Sequence, residues 1–116
     1  MVRLASIVID CYDAQGLSQF WAAALGASAG ADFGEYVVLQ CSPSLVFQAV
    51  PEPTPGKNRV HVDLETDDLA AERDRLVALG ASVIEFVQMR GGSWYVLADP
   101  EGNQFCVTEP FDPDRA

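Results

Sequence analysis

One short stretch holds most of the chemistry available to this chain. It runs Lys57-Asn58-Arg59-Val60-His61-Val62-Asp63-Leu64-Glu65 and contains the single histidine of the sequence. Val60, Val62 and Leu64 alternate with Arg59, His61, Asp63 and Glu65. Period two marks a strand with one apolar and one polar face, so His61, Asp63 and Glu65 project from the same side. An imidazole exchanges a proton near neutral pH, and a carboxylate beside it fixes its tautomer and orientation. His61 is therefore a candidate general base or acid, with Asp63 or Glu65 orienting it. The same trio also reads as an anionic recess for a cationic ligand. A structural reading stands beside both: Asp63 paired with Arg59 or Arg90, and His61 hydrogen-bonded to a neighbour.

The other soft donors are Cys11, Cys41 and Cys106. Their number is odd and no two are spaced as Cys-x-x-Cys, which argues against a disulfide framework or a structural zinc site. Each lies in or beside an apolar segment, so buried thiols are expected.

The elements that position these groups follow from local pattern. Residues 4–11 alternate as a strand, with Ile7 and Ile9 on one face and Ser6, Val8 and Asp10 on the other. A turn over 12–16 leads to a helix over 16–25, whose stripe is Leu17, Phe20, Trp21, Ala24 and Leu25, ended by Gly26. A short strand in 27–33, strands over 36–41 and 45–50, and a turn at Ser42-Pro43-Ser44 complete the first half. Val46, Gln48 and Val50 share one side of the second of these strands; Leu45, Phe47 and Ala49 share the other. Pro51-Glu52-Pro53-Thr54-Pro55-Gly56 is a stiff connector near the midpoint.

Beyond the His61 strand, Asp67-Asp68 caps a helix over 69–79 built on Leu69, Arg73, Leu76, Val77 and Leu79, with Gly80 closing it. Strands follow over 82–88, 94–98 and 104–109. They are joined by turns at Arg90-Gly91-Gly92-Ser93 and Asp99-Pro100-Glu101-Gly102-Asn103. The tail over 110–116 is polar and expected to be loose. Trp94 and Tyr95 are adjacent, so only one can look toward a ligand; Phe47 is the other aromatic candidate.

Composition sets the outer bounds. The chain has 116 residues, 49% hydrophobic and 21% charged, and a formal net charge of −10. That length suits one modest domain. The acidity argues against nucleic acid or an anionic membrane as partner and favours cationic or neutral ligands. No apolar run approaches the ~18 residues of a membrane span. Met1-Val2-Arg3 leads into a strand pattern rather than a secretory leader, so a cytoplasmic protein is expected.

The two halves repeat one another. Leu25-Gly26-Ala27-Ser28 returns as Leu79-Gly80-Ala81-Ser82, and Ser6-Ile7-Val8-Ile9-Asp10 as His61-Val62-Asp63-Leu64-Glu65. Each half reads strand, helix, then three strands, and such self-similarity is a strong fold signal. With Leu17-Ser18-Gln19-Phe20-Trp21, Leu25-Gly26, His61, Asp67-Asp68-Leu69, Leu79-Gly80-Ala81 and Asp99-Pro100-Glu101-Gly102-Asn103 in this order, the chain resembles the vicinal oxygen chelate superfamily. That superfamily includes glyoxalases, bleomycin-resistance proteins and extradiol dioxygenases. The resemblance covers about residues 3–109.

The resemblance implies an α+β fold: two βαβββ modules forming a curved, cup-shaped mixed sheet, with helices outside and the site inside. The expected layout is a single glyoxalase-like domain over 1–116. Module 1 spans about 3–50, a linker 51–57, module 2 about 58–109, and a tail 110–116. Enzymes of the superfamily hold a divalent metal with four side chains, two from each module. The matching positions here are Ser6, Gln48, His61 and Cys106. Only His61 is a strong ligand, so the metal site reads as degenerate and no cofactor is expected. Ser6, Val8, Gln48, His61, Asp63, Trp94 and Cys106, with Asp10 and Glu65, would then line a polar, acidic hollow. The expectation is a small-molecule-binding protein, its ligand cationic or neutral, that pairs with a second copy of itself as superfamily members commonly do. The alternatives are a glyoxalase-like lyase/isomerase or dioxygenase, working through an unusual metal or through His61 with Asp63 and Glu65, and a structural module with no ligand.

Overall fold

The computed structural model describes residues 1, 4–55, 60–110 and 112–115. It divides the chain into two compact units, Met1–Thr54 and Pro55–Ala116, with the boundary inside the proline-rich connector. Both are α+β and each is a βαβββ module.

The first unit contains β1 (Ser6–Cys11), α1 (Ala14–Leu25), β2 (Ser28–Asp32), β3 (Tyr36–Gln40) and β4 (Ser44–Ala49). Its sheet order is β1-β4-β3-β2. β1 and β4 run parallel, and the other pairs are antiparallel. The second unit repeats this with β5 (Asp63–Glu65), α2 (Leu69–Leu79), β6 (Ser82–Met89), β7 (Gly92–Ala98) and β8 (Gln104–Thr108). Its order is β5-β8-β7-β6, with β5 parallel to β8. The helix carries the chain over the sheet so that the first strand of each module can lie parallel to its last.

Both helices start on an aspartate. Asp13 accepts from the Gly16 backbone N–H at 3.0 Å and Asp68 from that of Ala71 at 3.1 Å, each satisfying a donor the helix leaves open. α1 thus begins at Ala14, not at Gly16 as the turn reading of 12–16 placed it: the cap outweighs the poor helix propensity of glycine. Gly16 is needed there, because a Cβ on it would meet the Asp13 Oδ2 at 2.3 Å. Gly26 closes α1 with φ 63°, a left-handed conformation in which glycine carries no steric cost.

The alternation fixes the cores. Leu17, Phe20 and Trp21 of α1 are buried with Cys11, Leu39, Leu45 and Phe47. Phe20 and Trp21 meet edge to face at 5.5 Å. In the second unit Leu76, Leu97, Phe105 and Val107 are buried. Leu76 is the buried residue of α2; Val77 and Leu79, expected in its apolar stripe, are exposed.

Several sequence-based bounds move. The strand expected over 4–11 starts at Ser6, and the one expected from Arg59 is three residues long, Asp63–Glu65. His61 precedes it outside the strand, although the Val62 carbonyl already accepts from the Cys106 N–H at 3.0 Å. Lys57, Asn58 and Arg59 lie outside the described residues, as do Gly56, Phe111 and the first residues of the leading strand, Val2 and Arg3. Gly92 and Ser93 belong to β7 rather than to a turn. The tail expected to be loose is tied back: Asp112 N–H donates to the Gly91 carbonyl at 2.8 Å, and Arg115 pairs with Glu109 at 3.0 Å. Cys11 alone of the three cysteines is buried; Cys41 and Cys106 are half-buried.

Candidate functional site

The second unit gathers its chemistry on the sheet face away from α2. Pairing places Asp63 opposite Cys106 and Glu65 opposite Thr108 across β5–β8. It places Val96 opposite Cys106 and Trp94 opposite Thr108 across β7–β8. Paired residues share a face, so Asp63, Cys106 and Val96 form one row, and Glu65, Thr108 and Trp94 the next. The residues between them, Leu64, Val107 and Tyr95, point the other way. Tyr95 is the marker: its hydroxyl accepts from Arg73 Nη1 of α2 at 2.7 Å, and the Arg73 guanidinium stands 5.1 Å from its ring centre. The adjacent pair is thereby settled, with Tyr95 on the helix side and Trp94 on the open one. Phe47 is buried completely and leaves the ligand candidates.

His61 Nε2 and Asp63 Oδ1 are 3.3 Å apart. Both are open to solvent, with side-chain exposures of 40% and 63%. Donor atoms of His61, Asp63 and Cys106 all lie within 4.8 Å of one another. The first two are two residues apart in the chain; register between two strands far apart in sequence brings the third. Asp63 stands beside His61, and among the described residues it makes no ion pair with Arg90, the pairing raised from sequence; Arg59 lies outside the described residues. Glu65 follows Asp63 on the same face, one row further along.

A buried carboxylate holds Cys106 in place from the preceding turn. Asp99 is 3% exposed. It accepts from the backbone N–H of Glu101 at 2.9 Å and of Asn103 at 3.0 Å, and from Asn103 Nδ2 at 3.1 Å. This Asx-type turn, with Gly102 at φ 89°, fixes the β7–β8 register and hence the strand position of Cys106.

In the first unit the corresponding face holds Ser6, Val8 and Asp10 of β1 with Ser44, Val46 and Gln48 of β4. Gln48 Nε2 donates to the Tyr36 hydroxyl at 3.3 Å. Ser6 pairs with Ser44, and Gln48 with Asp10. Four residues of strand separate those two rows, about 13 Å at ~3.3 Å per residue. Under the internal repeat Ser6 matches His61, so Val8 matches Asp63 and Asp10 matches Glu65. Val8 pairs with Val46 and Asp63 with Cys106. The counterpart of Cys106 is therefore Val46, and that of Gln48 is Thr108. Ser6 and Gln48 thus stand in rows four residues apart, and both offer only neutral oxygens.

Thr108 and Val96 were not among the sequence candidates. The signal for Thr108 was present, since Gln104, Cys106 and Thr108 alternate with the core residues Phe105 and Val107. Val96 follows from Trp94 by the same rule.

Residues 6–108 match the family described as Glyoxalase-like domain. Among solved structures, a glyoxalase/bleomycin resistance protein/dioxygenase family enzyme from Burkholderia phytofirmans PsJN superposes with a TM-score of 0.80 at 17% identity, over 93% of this chain and 98% of that one. The fosfomycin resistance protein FosX of Listeria monocytogenes gives 0.80 at 12% identity, over 100% and 99%. A glyoxalase-related enzyme from Fulvimarina pelagi gives 0.77 at 18%, over 100% and 96%. At such identities the likeness is one of fold. No curated protein matches the sequence.

Proposed function

We propose, for a chain that belongs to the glyoxalase-like domain family, that it is a small-molecule-binding protein of the glyoxalase and bleomycin-resistance type. Its ligand is a cationic organic molecule held against the open face of the second sheet. The observation that carries this reading is the solvent-open His61–Asp63 pair at 3.3 Å, standing on the same face as Trp94. Asp63 and Glu65 supply negative charge at two successive rows. Trp94 supplies an aromatic surface one row from Asp63, and aromatic rings attract cations through their faces. The net charge of −10 adds a long-range pull of the same sign. The four positions that the family pattern assigns to a metal, Ser6, Gln48, His61 and Cys106, are not a matching donor set here, which weighs toward binding over metal-dependent turnover.

A second reading has its own support. The His61–Asp63 contact is the arrangement of an oriented general base, so a glyoxalase-like lyase or isomerase acting through His61 is the alternative. A cytoplasmic homodimer without nucleic-acid or membrane partners completes the proposal. Among the described residues no helix is long and apolar enough to cross a membrane.

The test is a thermal-shift screen with cationic aromatic compounds. A hit should raise the melting temperature of the wild-type chain. Its affinity should fall about tenfold or more in Trp94→Ala and in Asp63→Asn, about 1.4 kcal/mol each. No shift with any such compound, or shifts that both variants retain, would refute the reading.

A further inference from the structure

Strand β6 lies at the end of the second sheet, with β7 on one side and, among the described residues, no strand on the other. Such an edge presents backbone N–H and C=O groups to a further strand. We propose that this edge pairs antiparallel with β6 of a second copy of the chain, about a two-fold axis at Val87. The inference rests on the homodimer reading above and gives that dimer a surface and a register.

Charge identifies the occupant. Residues 82–92 carry one charge of each sign, Glu85 and Arg90, in a chain of net −10. A second copy meets less repulsion here than at an acidic stretch. Neither Glu85 nor Arg90 has an ion-pair partner among the described residues. An antiparallel strand of the same sequence reverses the order of the two charges, so each comes beside its opposite at both ends of the contact. The apolar side chains agree with this, since Val83, Ile84, Phe86 and Met89 are exposed. The corresponding edge of the first sheet, β2, offers Ser28-Ala29-Gly30-Ala31-Asp32 instead, small residues and one carboxylate, with its own register shift between Ala29 and Asp32.

The ladder with β7 sets the register. It is regular from the Glu85–Val96 pair to the Met89–Gly92 pair and shifts between Val83 and Glu85. Two strands related by a two-fold axis perpendicular to the sheet keep their faces, and paired residues share a face. The axis must therefore pass at a residue, not between two. At Val87 it uses the whole regular stretch: Val87 meets the partner's Val87, Phe86 the partner's Gln88, and Glu85 the partner's Met89. Arg90 follows Met89 just outside the strand, where its long side chain can turn to the opposing Glu85 carboxylate. An axis at Phe86 or Gln88 would use only part of the regular stretch, and one at Glu85 would set two carboxylates against each other. Phe86 is already packed on Tyr95, their ring centres 4.8 Å apart, so covering it costs little side-chain freedom. Val87 shares the open face with Trp94, so the row Glu65, Thr108, Trp94 and Val87 continues into the same row of the second copy.

The experiment is light scattering after size exclusion on the full chain and its variants, with circular dichroism to check each fold. The wild type should weigh about twice 12.5 kDa. Val87→Lys and Val87→Glu each set like charges at the axis and should raise the dimer dissociation constant at least about a hundredfold. Mixed in equal amounts, the two variants should recover a dimer that holds one of each. Glu85→Arg and Arg90→Glu should each weaken the dimer about tenfold, and the double variant should return to within about threefold of the wild type. Ala29→Lys on β2 should leave the mass unchanged. A monomeric wild type overturns the homodimer reading and this inference together. A wild-type dimer that both Val87 variants retain, or Val87 variants that stay apart on mixing, overturns the β6 interface and leaves the dimer standing. Glu85 and Arg90 are exposed, so their variants decide the matter if a Val87 variant does not fold. Single charge reversals without effect then overturn the register.

Discussion

At the scale of residues, His61, Asp63 and Cys106 illustrate how differently two kinds of proximity arise. His61 and Asp63 are neighbours because they are two apart in the chain, and that was readable from alternation. Cys106 joins them because its strand is paired with β5 in one particular register. The resemblance named Cys106 but coupled it with Gln48, whose true counterpart in the repeat is Thr108. The residue that keeps the register is Asp99, whose carboxylate is buried on three donors. Asp99→Ala would leave the part-buried backbone N–H groups of Glu101 and Asn103 without their acceptor. It should lower the unfolding free energy by about 2–3 kcal/mol in a urea titration. A loss under about 0.5 kcal/mol, the usual size of a surface change, would show that the turn holds without it.

Among elements, the helices were the most legible and the His61 strand the least. Helix α2 runs from Leu69 to Leu79, as its cap and Gly80 predict, because capping is encoded within a few residues. Helix α1 begins two residues before the glycine that looked like the end of a turn. Asp13 and Gly16 act as one unit there, and their coupling makes a sharp prediction. Gly16→Ala alone should destabilise the protein, since its Cβ would displace the capping carboxylate. Asp13→Ala alone should cost about 1 kcal/mol. In the Asp13→Ala background Gly16→Ala should become stabilising by up to about 1 kcal/mol, the ordinary helix preference of alanine. Equal effects of Gly16→Ala in both backgrounds would contradict the account, and a double-mutant cycle by thermal melting reads it directly. The β5 strand is short for the opposite reason: seven alternating residues satisfy a strand pattern, and Asp63, Leu64 and Glu65 are the ones paired with β8.

The molecule as a whole has two modules of the same topology, each with its own core, and an apolar edge strand interrupted by one register shift between Val83 and Glu85. Strand β6 ends the second sheet, and Val83, Ile84, Phe86 and Met89 along it are exposed by 47, 51, 48 and 58%. An eight-residue apolar edge strand invites a partner. For the proposed homodimer, light scattering after size exclusion should give about twice the 12.5 kDa of one chain. A mass of 12.5 kDa across working concentrations would refute it.

Sequence by itself determined the kinds of element, the inward and outward faces of strands such as β4 and β8, and the doubling of the module. These rest on periods of 2 and 3.6, on caps and on self-similarity, all carried within a few residues or by direct comparison of two stretches. Tertiary structure alone decided which polar residues meet. Pairing Asp63 with Cys106, Val8 with Val46 and Gln48 with Asp10 depends on hydrogen bonds between strands distant along the chain. A shift of one residue there would have turned every one of these side chains to the opposite face.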